Sequence, residues 1–289
     1  MAVTTQPRRG CDATLQGAAV SDSQSVIGLI QARMSSTRLP GKVLRLIEGV
    51  PTIGRMVQRL SYSQTLSGII VACSVNPADD PIAAYCSQNR IAYVRGPEKE
   101  LDQRLLLALN QMGADALVRV TADCPLVDPA ILDILVGMWL DGIRTRPITA
   151  PPPDYVSNVY PNRTYPDGLD LEVISQSALE FIAEKIHGDP WDHEALTTNV
   201  WKHPHLFQGI QSLDHTENLG NLRWTVDRPD DLYFVRWVYD NLPEGFGWQA
   251  VLGLRDAYAW HIDHEWYPEE LGWDPGWTRA NELALRFGR

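Results

Sequence analysis

Between residues 26 and 140, short apolar runs alternate with longer segments of helical spacing. VIGLIQ (26–31), GIIVAC (68–73), Ile91–Val94 and ALVRV (116–120) read as strands, and Thr52–Tyr62, Ala78–Asn89, Leu101–Met112 and Pro129–Leu140 read as helices. In Thr52–Tyr62 the apolar residues Ile53, Met56, Val57 and Leu60 share one face. Strand and helix in this order imply crossover units, hence an α/β fold on a mixed, mostly parallel sheet flanked by helices.

The rhythm breaks at a proline-rich connection, RTRPITAPPPD (144–154). YVSNVYPNRTYPDGLDLEV (155–173) reads as two extended runs around a turn-rich loop, a hairpin that protrudes from the sheet. Helices are expected at Gln176–Ile186 and Trp191–Val200, and a strand at LRWTV (222–226). A helix over Pro229–Asp240 opens with proline and two aspartates in its first turn. A further helix is expected over Trp248–Tyr258, then a tail that carries several of the ten tryptophans. The 289 residues thus divide into a polar leader (1–25) expected to be disordered, a main domain (26–244) and a helical, tryptophan-rich extension (245–289).

Against a formal net charge of −11, the loop after the first strand is basic: QARMSSTRLPGK (31–42) gathers Arg33, Arg38 and Lys42 with three hydroxyls and a Pro-Gly pair. The acidic total argues against duplex nucleic acid as a partner, but a local basic loop can hold phosphate. The loop leaves the carboxyl end of a parallel strand, the edge where open α/β sheets bind ligands. Pro40-Gly41 permits a tight turn that returns Lys42 to the same ligand. Neither GxxxxGK[ST] nor GxGxxG is present, which disfavours a Walker loop and a dinucleotide hydride enzyme. The cysteines at 11, 73, 86 and 124 lack metal-like spacing and read as reduced thiols. No apolar run reaches the roughly 18 residues of a spanning helix, so a cytoplasmic chain without membrane contact is expected.

Polyphosphate chemistry calls for a divalent cation held by carboxylates. Asp123, after ALVRV, and Asp227, after LRWTV, are each expected at a strand's carboxyl end on the rim of the basic loop. Helix capping is the competing role for both. Asp128 is expected to cap the helix that Pro129 opens. Alternation in LDLEV puts Asp170 and Glu172 on one face and Leu169, Leu171 and Val173 on the other.

Four motifs in order, QARMSSTRLPGKVL, RVTADCPLVDP, YPDGLDLEV and LRWTVDRPDDLYFVR, make the chain resemble the spore-coat-polysaccharide type of cytidylyltransferase, a family related to the synthetases of CMP-activated sugar acids. The resemblance covers residues 26–240 and implies a Rossmann-like nucleotidyltransferase fold, a homodimer, and transfer of CMP from CTP to a sugar-acid, sugar-phosphate or related oxygen with release of pyrophosphate. By the same resemblance, the backbone at Gln31 and Ala32 meets the nucleotide, and Arg33, Arg38 and Lys42 hold its phosphates. Asp102 and Arg104 face the nucleotide or acceptor, and Asp123 and Asp227 hold Mg²⁺. Arg33, Lys42, Asp123 and Asp227 carry the chemistry. The segment around YPDGLDLEV, with Arg163, Asp167, Asp170 and Glu172, shapes the acceptor pocket together with His193; Asp167 precedes a glycine and reads equally as a turn residue. Where the family has Asp-Arg-Glu-His, this chain has WDHEAL, with His193 and Ala195 in place of the two cationic positions, which points to an acceptor outside the nine-carbon sugar acids. The fold leaves two alternatives open: a nucleotide-sugar-dependent glycosyltransferase, and a non-catalytic nucleotide-binding relative.

Overall fold

The computed structural model describes residues 24–147, 149–185, 196–264 and 278–288. Its first strand, β1 (Val26–Gln31), lies at the centre of the sheet. A two-residue ribbon, β2 (Leu46–Ile47) with β3 (Val50–Pro51), precedes α1 (Thr52–Leu60). Then come β4 (Gly68–Ser74), α2 (Asp80–Gln88), β5 (Ala92–Gly96), α3 (Leu101–Met112), β6 (Ala116–Thr121) and α4 (Pro129–Thr145). The second half holds β7 (Tyr155–Ser157), β8 (Glu172–Ser175), α5 (Gln176–Lys185), α6 (Leu196–Lys202) and β9 (Gln211–Ser212). It continues with α7 (Pro229–Asn241), α8 (Trp248–Leu252), α9 (Arg255–His264) and α10 (Arg279–Phe287).

The sheet order is β5-β4-β1-β6-β8-β7-β9. Strands β5, β4, β1 and β6 are parallel, β8 runs antiparallel to both β6 and β7, and β9 is parallel to β7. Alternation along β1 sends Val26 and Ile30 into one buried cluster and Ile27 and Leu29 into the other. The first cluster joins α1, α4 and α7; the second joins α3 and α5, so helices cover both faces and the strand runs are apolar throughout. Trp248, Tyr258, Ile262 and Phe287 enter the first cluster, Tyr258 and Phe287 packed with Phe234 and Trp237 of α7 and Trp248 with Tyr165.

Three expectations change. The two runs of 155–173 do pair antiparallel, but within the main sheet rather than off it, because Tyr155, Val156, Val173 and Ile174 are apolar toward both faces and are fully buried. LRWTV (222–226) is not a strand beyond a single bridge between Arg223 and Asp167. Its N–H groups donate to three separate segments: Arg223 to Leu285, Trp224 to Asp167 and Val226 to Asp123, so no continuous ladder forms. The helix expected over 248–258 divides at Gly253 into α8 and α9. The expected leader up to residue 23, the run from Trp191 to Ala195 and the tail from 265 to 277 lie outside the described residues.

Candidate active site

β1 and β6 lie side by side with Gln31 opposite Thr121, so the loops that follow them leave the same edge. From β1 the chain runs outward to β4 and β5 and then crosses back over β1 to β6 on its other side, which makes this the switch point of the sheet. The loop after β1 is shaped by its own apolar residues. Leu39 and Val43 are buried, and the Met34 N–H donates to buried Asp79 at 2.7 Å. Gly41 takes φ +66, the left-handed turn that returns the chain to Lys42.

A cavity of about 320 Å³ opens there, lined by Arg33, Arg38, Lys42, Arg104, Asp123 and Asp227 together with Gln31, Ala32 and the hydroxyl residues Ser35, Ser36 and Thr37. Lys42 Nζ donates to Asp123 Oδ2 at 2.9 Å and to Asp227 Oδ1 at 2.7 Å. Arg38 and Arg223 reach the other oxygen of Asp227, at 2.8 and 2.9 Å. Thr121 Oγ1 donates to Asp123 Oδ1 at 2.5 Å. Burial alone would lower the Lys42 pKa, but the two aspartates outweigh it and hold it above 10.5. Burial likewise would raise the Asp227 carboxyl, yet Lys42, Arg223 and Arg38 hold it below the ordinary 3.8. Neither aspartate caps a helix: Asp128 caps α4 as expected, and Arg228 is the N-cap of α7.

The remaining residues of the basic group differ in setting. Arg33 is exposed at the cavity mouth and makes no ion pair with the described residues. Arg104 is buried, donates to the Pro97 carbonyl at 3.1 Å and keeps a buried Nε without a hydrogen-bond partner; burial lowers its pKa. Asp102 is buried in the first turn of α3 and does not line the cavity. The peptide groups of Gln31 and Ala32 are engaged in the sheet: the Gln31 carbonyl accepts from Ala122 and the Ala32 N–H donates to Ala72.

Asp123 and Asp227 converge on one cationic atom, each within 3 Å of Lys42 Nζ. Lys42 Nζ fills the point where the two carboxylates meet; oxygen donors of this kind, beside Arg33 and Arg38, also suit Mg²⁺ in exchange for that ammonium, since the ion takes one or two protein carboxylates and completes its shell with phosphate and water. The donor set therefore fits that ion.

A family model described as cytidylyltransferase matches residues 27–157. The spore coat polysaccharide biosynthesis protein SpsF of Bacillus subtilis is 27% identical over 225 residues, which span 76% of this chain and 88% of that protein. An uncharacterized protein of Methanocaldococcus jannaschii is 31% identical over 208 residues, 71% of this chain and 79% of its own length. The chain belongs to the cytidylyltransferase family. A solved cytidylyltransferase from Leptospira borgpetersenii matches with a TM-score of 0.75 at 27% identity, over 85% of this chain and 99% of that one.

A second cavity of about 210 Å³ shares Gln31, Arg33, Ser35 and Arg104 with the first and adds Ser74, Asp79, Glu98 and Lys99. A third, also about 210 Å³, shares Thr121 and is lined by Arg119, Arg163, Asp170, Glu172, Thr197 and Trp201. Arg163 pairs with Asp170 through both guanidinium nitrogens and with Asp167 at 3.1 Å. Asp167 lies outside that lining and also faces Arg223 at 3.7 Å. Glu172 is buried, held by Arg119 at 2.5 Å and by the Tyr155 hydroxyl at 2.5 Å. Arg119 also donates to Gln31 Oε1 at 2.9 Å, and Trp201 donates to the Tyr155 hydroxyl at 3.0 Å. His193 lies outside the described residues.

Sequence reasoning passed over Arg119, Tyr155, Trp201 and Arg223. Arg119 had a signal, since it is the one charge in the apolar run ALVRV. Tyr155 and Trp201 had none, because aromatic residues in such runs read as core.

Proposed function

We propose that the chain transfers CMP from CTP to an oxygen of a sugar acid, sugar phosphate or related polyhydroxylated alcohol, releasing pyrophosphate. The observation that carries this reading is the meeting of Lys42, Arg38, Arg33 and Arg104 with Asp123 and Asp227 in one cavity at the switch point of the sheet. The acceptor oxygen forms a bond to the α-phosphorus and gives its proton to solvent, the bond from that phosphorus to the bridging oxygen breaks, and pyrophosphate leaves with the electron pair. Asp123 and Asp227 would hold Mg²⁺, which would supply charge neutralisation at the phosphates. Lys42 then works beside it on the leaving group, and Arg33 and Arg38, on a loop open to solvent, clamp the outer phosphates. The cavity that shares Gln31 and Arg104 offers room for the base.

The cavity with Arg119, Arg163 and Trp201 is read as the acceptor site. Each of its arginines is already paired, to Glu172 and Asp170, so it presents donors and acceptors in balance rather than a surplus of positive charge. Such a lining suits hydroxyl groups, with the indole of Trp201 as an apolar wall, and favours an acceptor less anionic than a nine-carbon sugar acid. The homodimer rests on the family resemblance, and light scattering checks it.

The testing experiment is a pyrophosphate-release screen of the four ribonucleoside triphosphates against nine-carbon sugar acids, phosphorylated polyols and small alcohols at matched concentration. CTP with a less anionic alcohol is the expected pair. Release from a triphosphate other than CTP overturns the base assignment, a kcat/KM advantage for a nine-carbon acid overturns the acceptor class, and no release with any pair overturns the reading.

A further inference from the structure

The C-terminal helix α10 reaches the back of the segment that carries Asp227. Its Arg286 has no exposed surface. Nε donates to Glu282 Oε1 at 2.9 Å, and Nη1 donates to Asp231 Oδ1 and to the Arg223 carbonyl, both at 2.8 Å. Tyr258 of α9 donates to the same Glu282 oxygen at 3.0 Å. The last carbonyls of α10 are also engaged: Leu285 accepts from the Arg223 N–H at 2.8 Å and Arg286 from the Trp224 indole at 2.7 Å.

Asp231, likewise without exposed surface, is the hinge of the arrangement. Besides Arg286, its carboxylate accepts from Arg223 Nε at 3.2 Å and Nη2 at 3.0 Å, and from the N–H groups of Asp227 and Arg228 at 2.9 and 3.0 Å. Arg223 Nη2 donates onward to Asp227 Oδ2 at 2.9 Å. A buried carboxylate must be neutralised where it lies. With Arg286 doing so from behind, Arg223 can share its fork between Asp231 and Asp227. Without Arg286, Arg223 would be drawn wholly to Asp231, and the Asp227 carboxylate would lose a fixed donor.

We propose that Arg286 is a positioning residue for Asp227, acting through Asp231 and Arg223, so that the C-terminal helix sets the carboxylate on which the nucleotide site depends. This rests on the role given to Asp227 above. A purely structural ion pair would make the same contacts, and the two differ in what a substitution disturbs. Arg286→Lys keeps the charge, but a single ammonium cannot reach Glu282, Asp231 and the Arg223 carbonyl in the planar fork of a guanidinium. Arg286→Gln keeps a neutral donor.

The experiment measures CTP affinity of the full chain by titration calorimetry, in MgCl₂ and in EDTA, for wild type, both variants, Asp227→Asn and the double variant Arg286→Lys with Asp227→Asn. The expected result is a Kd in MgCl₂ raised about tenfold by Arg286→Lys, the size of effect seen when a group that orients a metal-binding carboxylate is lost. In EDTA the Kd should stay within about twofold, and Arg286→Lys should add nothing once Asp227 is asparagine. Equal losses in MgCl₂ and EDTA, additive effects in the double variant, or unchanged binding would overturn the inference while leaving the function in place. Failure of both Arg286 variants to fold, read by near-ultraviolet dichroism, would also overturn it, assigning Arg286 to stability alone. A wild-type chain that does not bind CTP would overturn the functional reading and the inference together.

Discussion

At the scale of single residues, Lys42 is a charged group in an unusual setting. It is largely buried, with side-chain exposure of 13%, between two carboxylates that keep it charged. If it stabilises the departing pyrophosphate, Lys42→Ala should lower kcat/KM for CTP roughly a hundredfold, with both kcat and KM affected. Steady-state pyrophosphate release measures this, and unchanged kinetics would remove Lys42 from the reaction. Asp123→Asn and Asp227→Asn should each shift the Mg²⁺ activation curve to higher concentration while moving the melting temperature little. Curves that overlay wild type in both variants would assign the two aspartates to ion pairing with Lys42 and the arginines. The loop residues Arg33, Arg38 and Lys42 were legible in the sequence because charge beside a buried strand is a local signal. The pairing of Arg119 with Glu172 was not, because the partners stand 53 positions apart.

At the scale of elements, two joints carry testable weight. Arg59 on α1 is 3% exposed, donates to the carbonyls of Val127 and Phe246 at 2.6 and 3.0 Å, and lies 4.3 Å above the Phe246 ring. Arg59→Met would leave both buried carbonyls without their donor, which costs about 2–4 kcal/mol in urea unfolding. A loss below about 1 kcal/mol would mean that water replaces the guanidinium. The second joint is Asp154, just before β7, which accepts from the Gln208 N–H at 2.7 Å. Burial raises its carboxyl above 3.8 despite the Gln208 and Ser175 hydrogen bonds. Because the folded pKa exceeds the unfolded one, the charged form costs stability at neutral pH, and that cost fades as pH falls through the folded value toward 3.8. Asp154→Asn should therefore melt higher than wild type at pH 7, with the gap closing near pH 3.8. A gap independent of pH would trace the effect to packing. Before residue 145, β1, β4, β5, β6 and α1 to α4 were legible from periodicity, because each is a local pattern buried on predictable faces, whereas the two-residue strands β2 and β3 are too short to show a period. LRWTV misled because alternation and β-branching describe an extended chain, while a strand also needs one continuous neighbour.

At the scale of the molecule, the extension after residue 244 shares the core of the main body through Trp248, Tyr258 and Phe287. Asp128 binds the two parts as well, capping α4 and accepting from the Trp248 N–H at 2.7 Å. A chain ended at residue 244 should lose its near-ultraviolet dichroism and its cooperative thermal transition. A truncated chain that melts within a few degrees of the full one would show that the body folds alone. Gly168 fixes a further long-range fit: at φ +118, a Cβ there would stand 2.7 Å from the Trp224 backbone, so only glycine lets 167–169 meet 222–224.

The sequence by itself determined the α/β layering, the central place of a basic loop after the first strand, and the family, since these follow from periodicity and from motifs contiguous in the chain. It also marked Asp123 as a rim carboxylate after β6, and marked Asp227 through a strand over 222–226 that does not form. Only the tertiary structure decided that both pair with the Lys42 ammonium. Asp227 reaches Asp123 because the Val226 N–H donates to the Asp123 carbonyl at 2.7 Å, a bond across 103 positions. Arg286 stands behind Asp231 for the same reason, 55 positions away. Local pattern records which face of an element is apolar, whereas the partner of a buried charge is chosen by packing among distant segments, and no single stretch of chain carries that choice.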